Sequence, residues 1–208
     1  MLKNKTNIAI AVLIIFHLVG IGGIVFGDAS SFLELTPLNL LITFGCILFA
    51  HVDWRNWWLI PATWAGGFFI EVVGVNTGFP FGEYIYEHVL GWQWLNTPLI
   101  IGINWFILLY GSVAIARRFG LSDATTALVA GGLMVFLDYF IEPIAIKYDF
   151  WEWALTHPPL ENYVAWFVVA SGLAFMWQRV RWQLNTQVAI AVYATQLVFF
   201  GILNLLPQ

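Results

Sequence analysis

Apolar residues along this chain gather into long runs broken by short polar stretches, and the runs cover residues 8–26, 32–50, 57–75, 98–116, 124–146, 160–177 and 187–206. Each is close to the roughly 20 helical residues that cross about 30 Å of hydrocarbon. None alternates apolar and polar positions as a barrel strand does, and a segment in lipid must satisfy its own backbone hydrogen bonds. The pattern predicts an all-α integral membrane protein: a bundle of seven transmembrane helices, without strands, filling residues 1–208 as one domain.

Composition agrees, since 61% of the 208 residues are hydrophobic and 10% are charged. The net charge of −4, with no basic cluster, excludes a nucleic-acid partner. A single cysteine, Cys46, excludes a disulfide framework and a cysteine metal site. Lys3 and Lys5 precede the first run and Ala29, Ser30 and Ser31 follow it, as in a signal peptide, but the apolar stretch is long enough to be retained as a helix. With the N-terminus cytoplasmic, Lys3, Lys5, Arg55, Arg117, Arg118, Arg179 and Arg181 fall inside and only Lys147 falls outside. The positive-inside rule therefore predicts a cytoplasmic N-terminus, an external C-terminus and, in a bacterium, the inner membrane. Trp54, Trp57, Trp58, Trp177 and Trp182 fit the inner boundary, and Trp92, Trp94, Trp151 and Trp153 the outer one, most of them as interfacial belt residues, with Trp151 and Trp153 open to either an anchoring or a site role.

Two connections are longer than turns require, residues 76–97 and 147–159, and both belong to the outer side. The first contains Gly78-Phe79-Pro80-Phe81-Gly82-Glu83-Tyr84-Ile85-Tyr86, whose glycines and proline impose a bent backbone from which Glu83 and two tyrosines project. The second contains Trp151-Glu152-Trp153 and His157-Pro158-Pro159.

Candidate chemistry rests on carboxylates inside the spans. Glu71 and Asp138 each lie about 14 residues into their helices, hence at a common height of about 21 Å. Glu142 follows Asp138 by one helical turn on the same face, just before Pro143. An acid at such depth costs about 2.5 kcal/mol or more, so each faces a cavity or a partner, and no basic residue in a span is available to pair with them. The acids are expected to share protons, with at least one carboxyl neutral at physiological pH. The bland alternative is hydrogen bonding between helices. Asn104 and Trp105 on the fourth helix and Trp166 on the sixth fall in the same layer. Acids beside electron-rich rings suit protonation of an alkene and stabilisation of the resulting cation in a dry pocket.

Other chemistries lack their residues. His17, His51, His88 and His157 show no paired spacing for a di-iron site, no glycine-rich dinucleotide fingerprint follows a strand, and no paired aspartates can bridge magnesium to a diphosphate. The seventh helix has no lysine for a retinal Schiff base.

The stretch from Glu71 through Asn76, Gly78, Pro80, Gly82, Glu83 and Tyr86 to Pro98 and Trp105 resembles the signature of the CruF-type carotenoid 1,2-hydratases, a family that includes the bisanhydrobacterioruberin hydratases. Asp138-Tyr139-Phe140-Ile141-Glu142-Pro143, Trp151, Trp153, Pro159, Asn162 and Trp166 are similar to its second block, so the likeness covers about residues 67–177. The resemblance implies addition of water to the terminal 1,2 double bond of an acyclic ψ-end carotenoid, of lycopene or γ-carotene type, through a tertiary carbocation to a 1-hydroxy end group. Under it, Asp138 is the expected proton donor, and Glu142 and Glu71 tune it or position water. Glu83 with Tyr84 forms a lid, and Trp105 and Trp166 stabilise the cation. Tyr86, Asn104, Asn162, Phe79 and Phe81 complete the expected contacts with substrate. An acid and water suffice, so neither cofactor nor metal is called for. The expected partners are the lipophilic carotenoid, membrane lipid and other enzymes of the same pathway. Three rivals stay open: a lycopene cyclase using the same cation, a carotenoid-binding subunit without catalysis, and a small proton-coupled transporter.

Overall fold

The computed structural model describes residues 2–206. It contains eight α-helices: α1 (Leu2–Phe26), α2 (Ala29–Leu33), α3 (Thr36–Phe49), α4 (Leu59–Thr77), α5 (Ile100–Ala116), α6 (Asp123–Lys147), α7 (Leu160–Val180) and α8 (Thr186–Leu205). Taken with α2 and α3 as one span, Ala29–Phe49, the described residues form seven helices long and apolar enough to cross a membrane. The predicted second run is therefore broken. Asp28 caps the short α2 by accepting from the Ser31 backbone N–H, and Pro37 opens α3 in the first turn, where a missing N–H costs nothing.

The bundle is built around α5. Fourteen of its seventeen residues are buried, and α3, α4, α6, α7 and α8 all pack on it. A helix that is apolar all round belongs inside a bundle, and the lipid-facing helices surround it. α6 continues past Pro143 to Lys147 and packs along α7. Ser122 caps its start with a hydroxyl that accepts from the Thr125 N–H at 3.2 Å.

Two ends follow from the element order. One gathers residues 27–35, 78–99 and 148–159, and the other gathers 50–58, 117–122 and 181–185. The expectation of a chain without strands fails at the first of these. Tyr84–Tyr86 (β1) pairs antiparallel with Trp151–Trp153 (β4), in the register Tyr84 with Trp153, Ile85 with Glu152 and Tyr86 with Trp151. Gln93–Trp94 (β2) pairs with Thr97–Pro98 (β3). These ribbons escape a reading based on periodicity because two or three residues carry no period. Their backbone polar groups need partners at a bundle end where no helix continues; β1 and β4 supply them between two loops, and β2 and β3 within one.

Candidate active site

The site is built on one face of α4, where Gly67, Glu71 and Gly74 are all buried. A β-carbon at Gly67 would lie 2.4 Å from Cγ of Trp105, and one at Gly74 would lie 2.5 Å from the Phe81 ring and 2.9 Å from the Tyr84 hydroxyl. The two glycines are notches one turn below and one turn above Glu71, and they let an indole and a phenol close on its carboxylate. Trp105 Nε1 donates to Oε1 at 2.9 Å, while the Tyr84 and Tyr86 hydroxyls donate to Oε2 at 2.5 and 2.9 Å.

The β1–β4 ribbon covers this face. Side chains alternate across a strand, so Tyr84, Tyr86, Trp151 and Trp153 turn toward the helices, while Ile85 and Glu152 are exposed. The two indoles reach the second acid: Trp151 Nε1 and Trp153 Nε1 each donate to Oε2 of Glu142 at 3.0 Å. Burial, and then the charge of Glu71, push both tyrosines well above the ordinary phenol range, so both hydroxyls remain donors.

Asp138, one turn before Glu142 on α6, is 1% exposed. Its one hydrogen bond comes from Asn162 Nδ2 at 3.5 Å, and the same amide reaches Oε1 of Glu142 at 3.4 Å. The three carboxyl groups share a cavity of about 20 Å³, enclosed also by Ile101, Asn104, Ile141 and Trp166. Such a volume takes about one water. Trp166 stacks on Trp105 with centroids 4.1 Å apart, so Trp166 faces the cavity and Trp105 stands behind it, tied to Glu71.

A second, larger cavity of about 190 Å³ adjoins the first and shares Ile101, Asn104, Ile141 and Trp151 with it. It runs between α1, α3, α5 and α8, and its rim residues Phe16, Val19 and Leu38 are exposed on the apolar surface. The cleft therefore opens sideways, on the apolar flank of the bundle, and its inner end adjoins the acid cavity.

Of the residues named from sequence, Glu71, Asp138, Glu142, Tyr84, Tyr86, Asn104, Asn162 and Trp166 line the acid cavity. Trp105 is one layer out, and Phe81 is buried beneath the loop, edge-on to Tyr84. Glu83 and Phe79 do not join them. Both are exposed, and Glu83 contributes its backbone carbonyl, which accepts from the Ala154 N–H at 3.0 Å. Trp151 and Trp153, which from sequence alone fit either an anchoring or a site role, are hydrogen-bond donors of the site. The signal for them was the matching spacing of Tyr-Ile-Tyr and Trp-Glu-Trp, two short strands with aromatic residues on one face. Among the described residues no three His, Cys, Asp or Glu side chains are grouped to hold a metal ion.

The sequence profile of a family described as carotenoid biosynthesis protein matches residues 35–208. A curated relative, the bisanhydrobacterioruberin hydratase of Haloarcula japonica, is 27% identical over 132 residues. That alignment covers 60% of this chain and 45% of the relative, so the chain matches less than half of the relative's length. No solved structure matches.

Proposed function

Because the chain belongs to the carotenoid biosynthesis protein family, we propose that it is a carotenoid hydratase. Its substrate would be an acyclic carotenoid with a terminal 1,2 double bond, of lycopene or γ-carotene type, held at that end. The observation that carries the reading is an inequality among the three acids. Glu71 and Glu142 each accept three hydrogen bonds, whereas Asp138 accepts one long one. Three negative charges in one small cavity without a cation are too costly to coexist, so protons are kept there. Donor-rich carboxylates are the ones stabilised as anions, and the donor-poor Asp138 is the one that keeps its proton.

In this reading the polyene lies along the apolar cleft with its end group against the acid cavity. A cleft of about 190 Å³ is smaller than the several hundred Å³ of an ordinary ligand pocket, so it takes an end group while the rest of the chain stays in lipid. The Asp138 carboxyl transfers its proton to C2 and the charge develops at C1, the more substituted carbon. The π face of Trp166 and the carboxylates of Glu71 and Glu142 stabilise that charge in a site that excludes bulk water. One water then adds through oxygen to C1 and releases a proton to Asp138, which restores the acid. Atoms and charge balance, and no electron changes hands. The distribution of Lys and Arg adds that the ribbon end faces away from the cytoplasm.

The test is expression in a lycopene-accumulating bacterium with mass analysis of the extracted pigments. A hydratase adds the mass of one water at one or both ends. A pigment of unchanged mass with a new absorption maximum would transfer the assignment to a cyclase, and unaltered lycopene would remove catalysis on this substrate.

A further inference from the structure

Hydration requires more than a proton. The tertiary cation has three exits: it can lose a proton and return to an alkene, attack its own polyene and close a ring, or take up water. Only the last needs a water held with a lone pair toward C1, about 3–3.5 Å away, at the moment the charge forms. Something other than the proton donor must hold it, because the carboxyl is engaged at the neighbouring carbon.

The cavity linings narrow the choice. Among the polar side chains of the acid cavity, Glu71, Tyr84, Tyr86, Glu142, Trp151 and Trp153 are committed to one another by the bonds already described. Asn162 gives its Nδ2 to Asp138 and Glu142, and it lines only the acid cavity, not the apolar cleft. Two residues remain without a side-chain hydrogen bond among the described residues, Asn104 and Trp166. The Trp166 indole can only donate, so it would take one of the water's two lone pairs and draw electron density from the oxygen that must attack carbon. The Asn104 amide can also accept. With its carbonyl oxygen accepting one O–H of the water, the lone pair is left free and the oxygen is made more nucleophilic.

Position argues the same way. Asn104 is one turn into α5, and it is the one polar residue shared by the two cavities that is not already bonded to a carboxylate; Ile101, Ile141 and Trp151 are the other three. It stands where the apolar cleft that would hold the polyene meets the cavity that would hold the acid. Resting on the hydratase reading, we infer that Asn104 is the water-positioning residue, and that it decides whether the cation is hydrated or is lost to another product.

The experiment uses the full-length protein in lipid nanodiscs, with lycopene as the probe, in D2O. Protonation is read as deuterium in recovered lycopene, and hydration as a gain of one D2O. Asn104→Leu is expected to lower the hydrated product about tenfold or more, while deuterium exchange into lycopene is retained or a ring-closed isomer appears. Asn104→Ser, which keeps a donor and an acceptor, should restore part of the hydration. The inference is overturned if Asn104→Leu hydrates within about twofold of wild type. It is equally overturned if hydration and exchange fall together in both variants, since that is the pattern of a residue needed only for packing. A failure of the underlying reading looks different: wild-type protein would then show neither hydration nor exchange.

Discussion

The two ends of this bundle both bury polar clusters, and they spend their hydrogen bonds differently. At the end that gathers residues 50–58, 117–122 and 181–185, donors go mostly to the main chain. Arg117 donates to the carbonyl oxygens of Trp177 and Trp182 and to the Gln178 side chain. Asn185 donates to the Ala50 carbonyl at 3.0 Å and to the Thr6 hydroxyl at 2.8 Å, and Trp182 Nε1 donates to the Asp53 carbonyl at 3.0 Å. Of these acceptors the Ala50 and Trp177 carbonyls lie at the C-terminal ends of α3 and α7, where helices run out of intrahelical donors, and a cation at the C-terminus of α7 also suits the helix dipole. The carboxylate there, Asp53, has an arginine beside it, Arg55 Nε at 3.3 Å. At the ribbon end the buried phenol and indole donors go to Glu71 and Glu142, which form no ion pair among the described residues. Helix ends do not require such groups, and burying a carboxylate costs the fold more than the donors around it return. The far cluster completes the architecture, whereas the ribbon cluster is carried by it.

Asp138→Asn breaks the comparison most sharply. It keeps shape and hydrogen bonding but removes the transferable proton, so hydration of lycopene should fall by about 10²–10⁴ while the protein stays folded. Pigment mass analysis reads the first quantity and a thermal melt in detergent the second. Hydration at the wild-type rate would remove Asp138 from the mechanism. The mirror experiment is Arg117→Met, which should leave turnover per folded molecule unchanged. It strips a charged donor from three buried acceptors, and the stability cost should be about 2–3 kcal/mol, seen as a lowered melting temperature.

How far the sequence alone reached divides along the same line. The spans were legible because bilayer thickness sets their length, and the acids were legible because a charge in such a run is conspicuous by its cost. The break at Glu34 and Leu35 is marked by Glu34 and Pro37 but escapes notice, because averaged over a whole span the run is still apolar enough to cross a membrane. The ribbon was hidden for a different reason: its strands are 3 residues each, and their pairing depends on two loops that meet only once α4 through α6 are packed. That omission had two further consequences. A tryptophan at a membrane boundary has the same composition whether its N–H meets headgroups or Glu142, so the sequence leaves Trp151 and Trp153 between the two roles. Glu83 was expected over the mouth, but strand alternation that turns Tyr84 and Tyr86 inward sends residues 83 and 85 outward.

Asp53 at one end and the pair Tyr84 and Tyr86 at the other should respond to pH in opposite directions. Burial works against ionisation of Asp53, but donors from Gln183, Arg55 and Asn56 outweigh it and hold its carboxyl below the usual range. A carboxylate lowered by folding contributes stability above its unfolded value, about pH 4, and loses it as pH falls through the lower folded value. Tyr84 and Tyr86 are raised by folding, so their contribution is complete below the unfolded value, about pH 10, and is lost as pH rises beyond it. Melting temperature against pH should therefore fall on both flanks. Asp53→Asn should flatten the acid flank alone, and Tyr84→Phe with Tyr86→Phe the alkaline flank alone; if either substitution moved the other flank, the assignment of ends would be wrong.

The smallest expected effect isolates the acceptor as the variable. α4 carries two buried acceptors on one face, eight residues and about 12 Å apart, and each receives an indole N–H at 2.9 Å: Trp177 on Thr63 and Trp105 on Glu71. Donor, helix and distance match, and only the acceptor differs, a neutral hydroxyl against a carboxyl. Thr63→Val preserves volume and removes the acceptor, so it should cost about 0.6–1.7 kcal/mol, the range for hydrogen bonds between membrane helices, and leave product yield and deuterium exchange unchanged. Trp105→Phe should cost somewhat more stability, because it also leaves a small void in the core; it withdraws one of the three donors on Glu71 and shrinks the ring stacked on Trp166. Hydration should then fall along with the melting temperature. Equal effects of the two substitutions on turnover would mean that the carboxyl at Glu71 is no more than a stronger hydrogen-bond acceptor, and that the division between the two ends does not extend along α4.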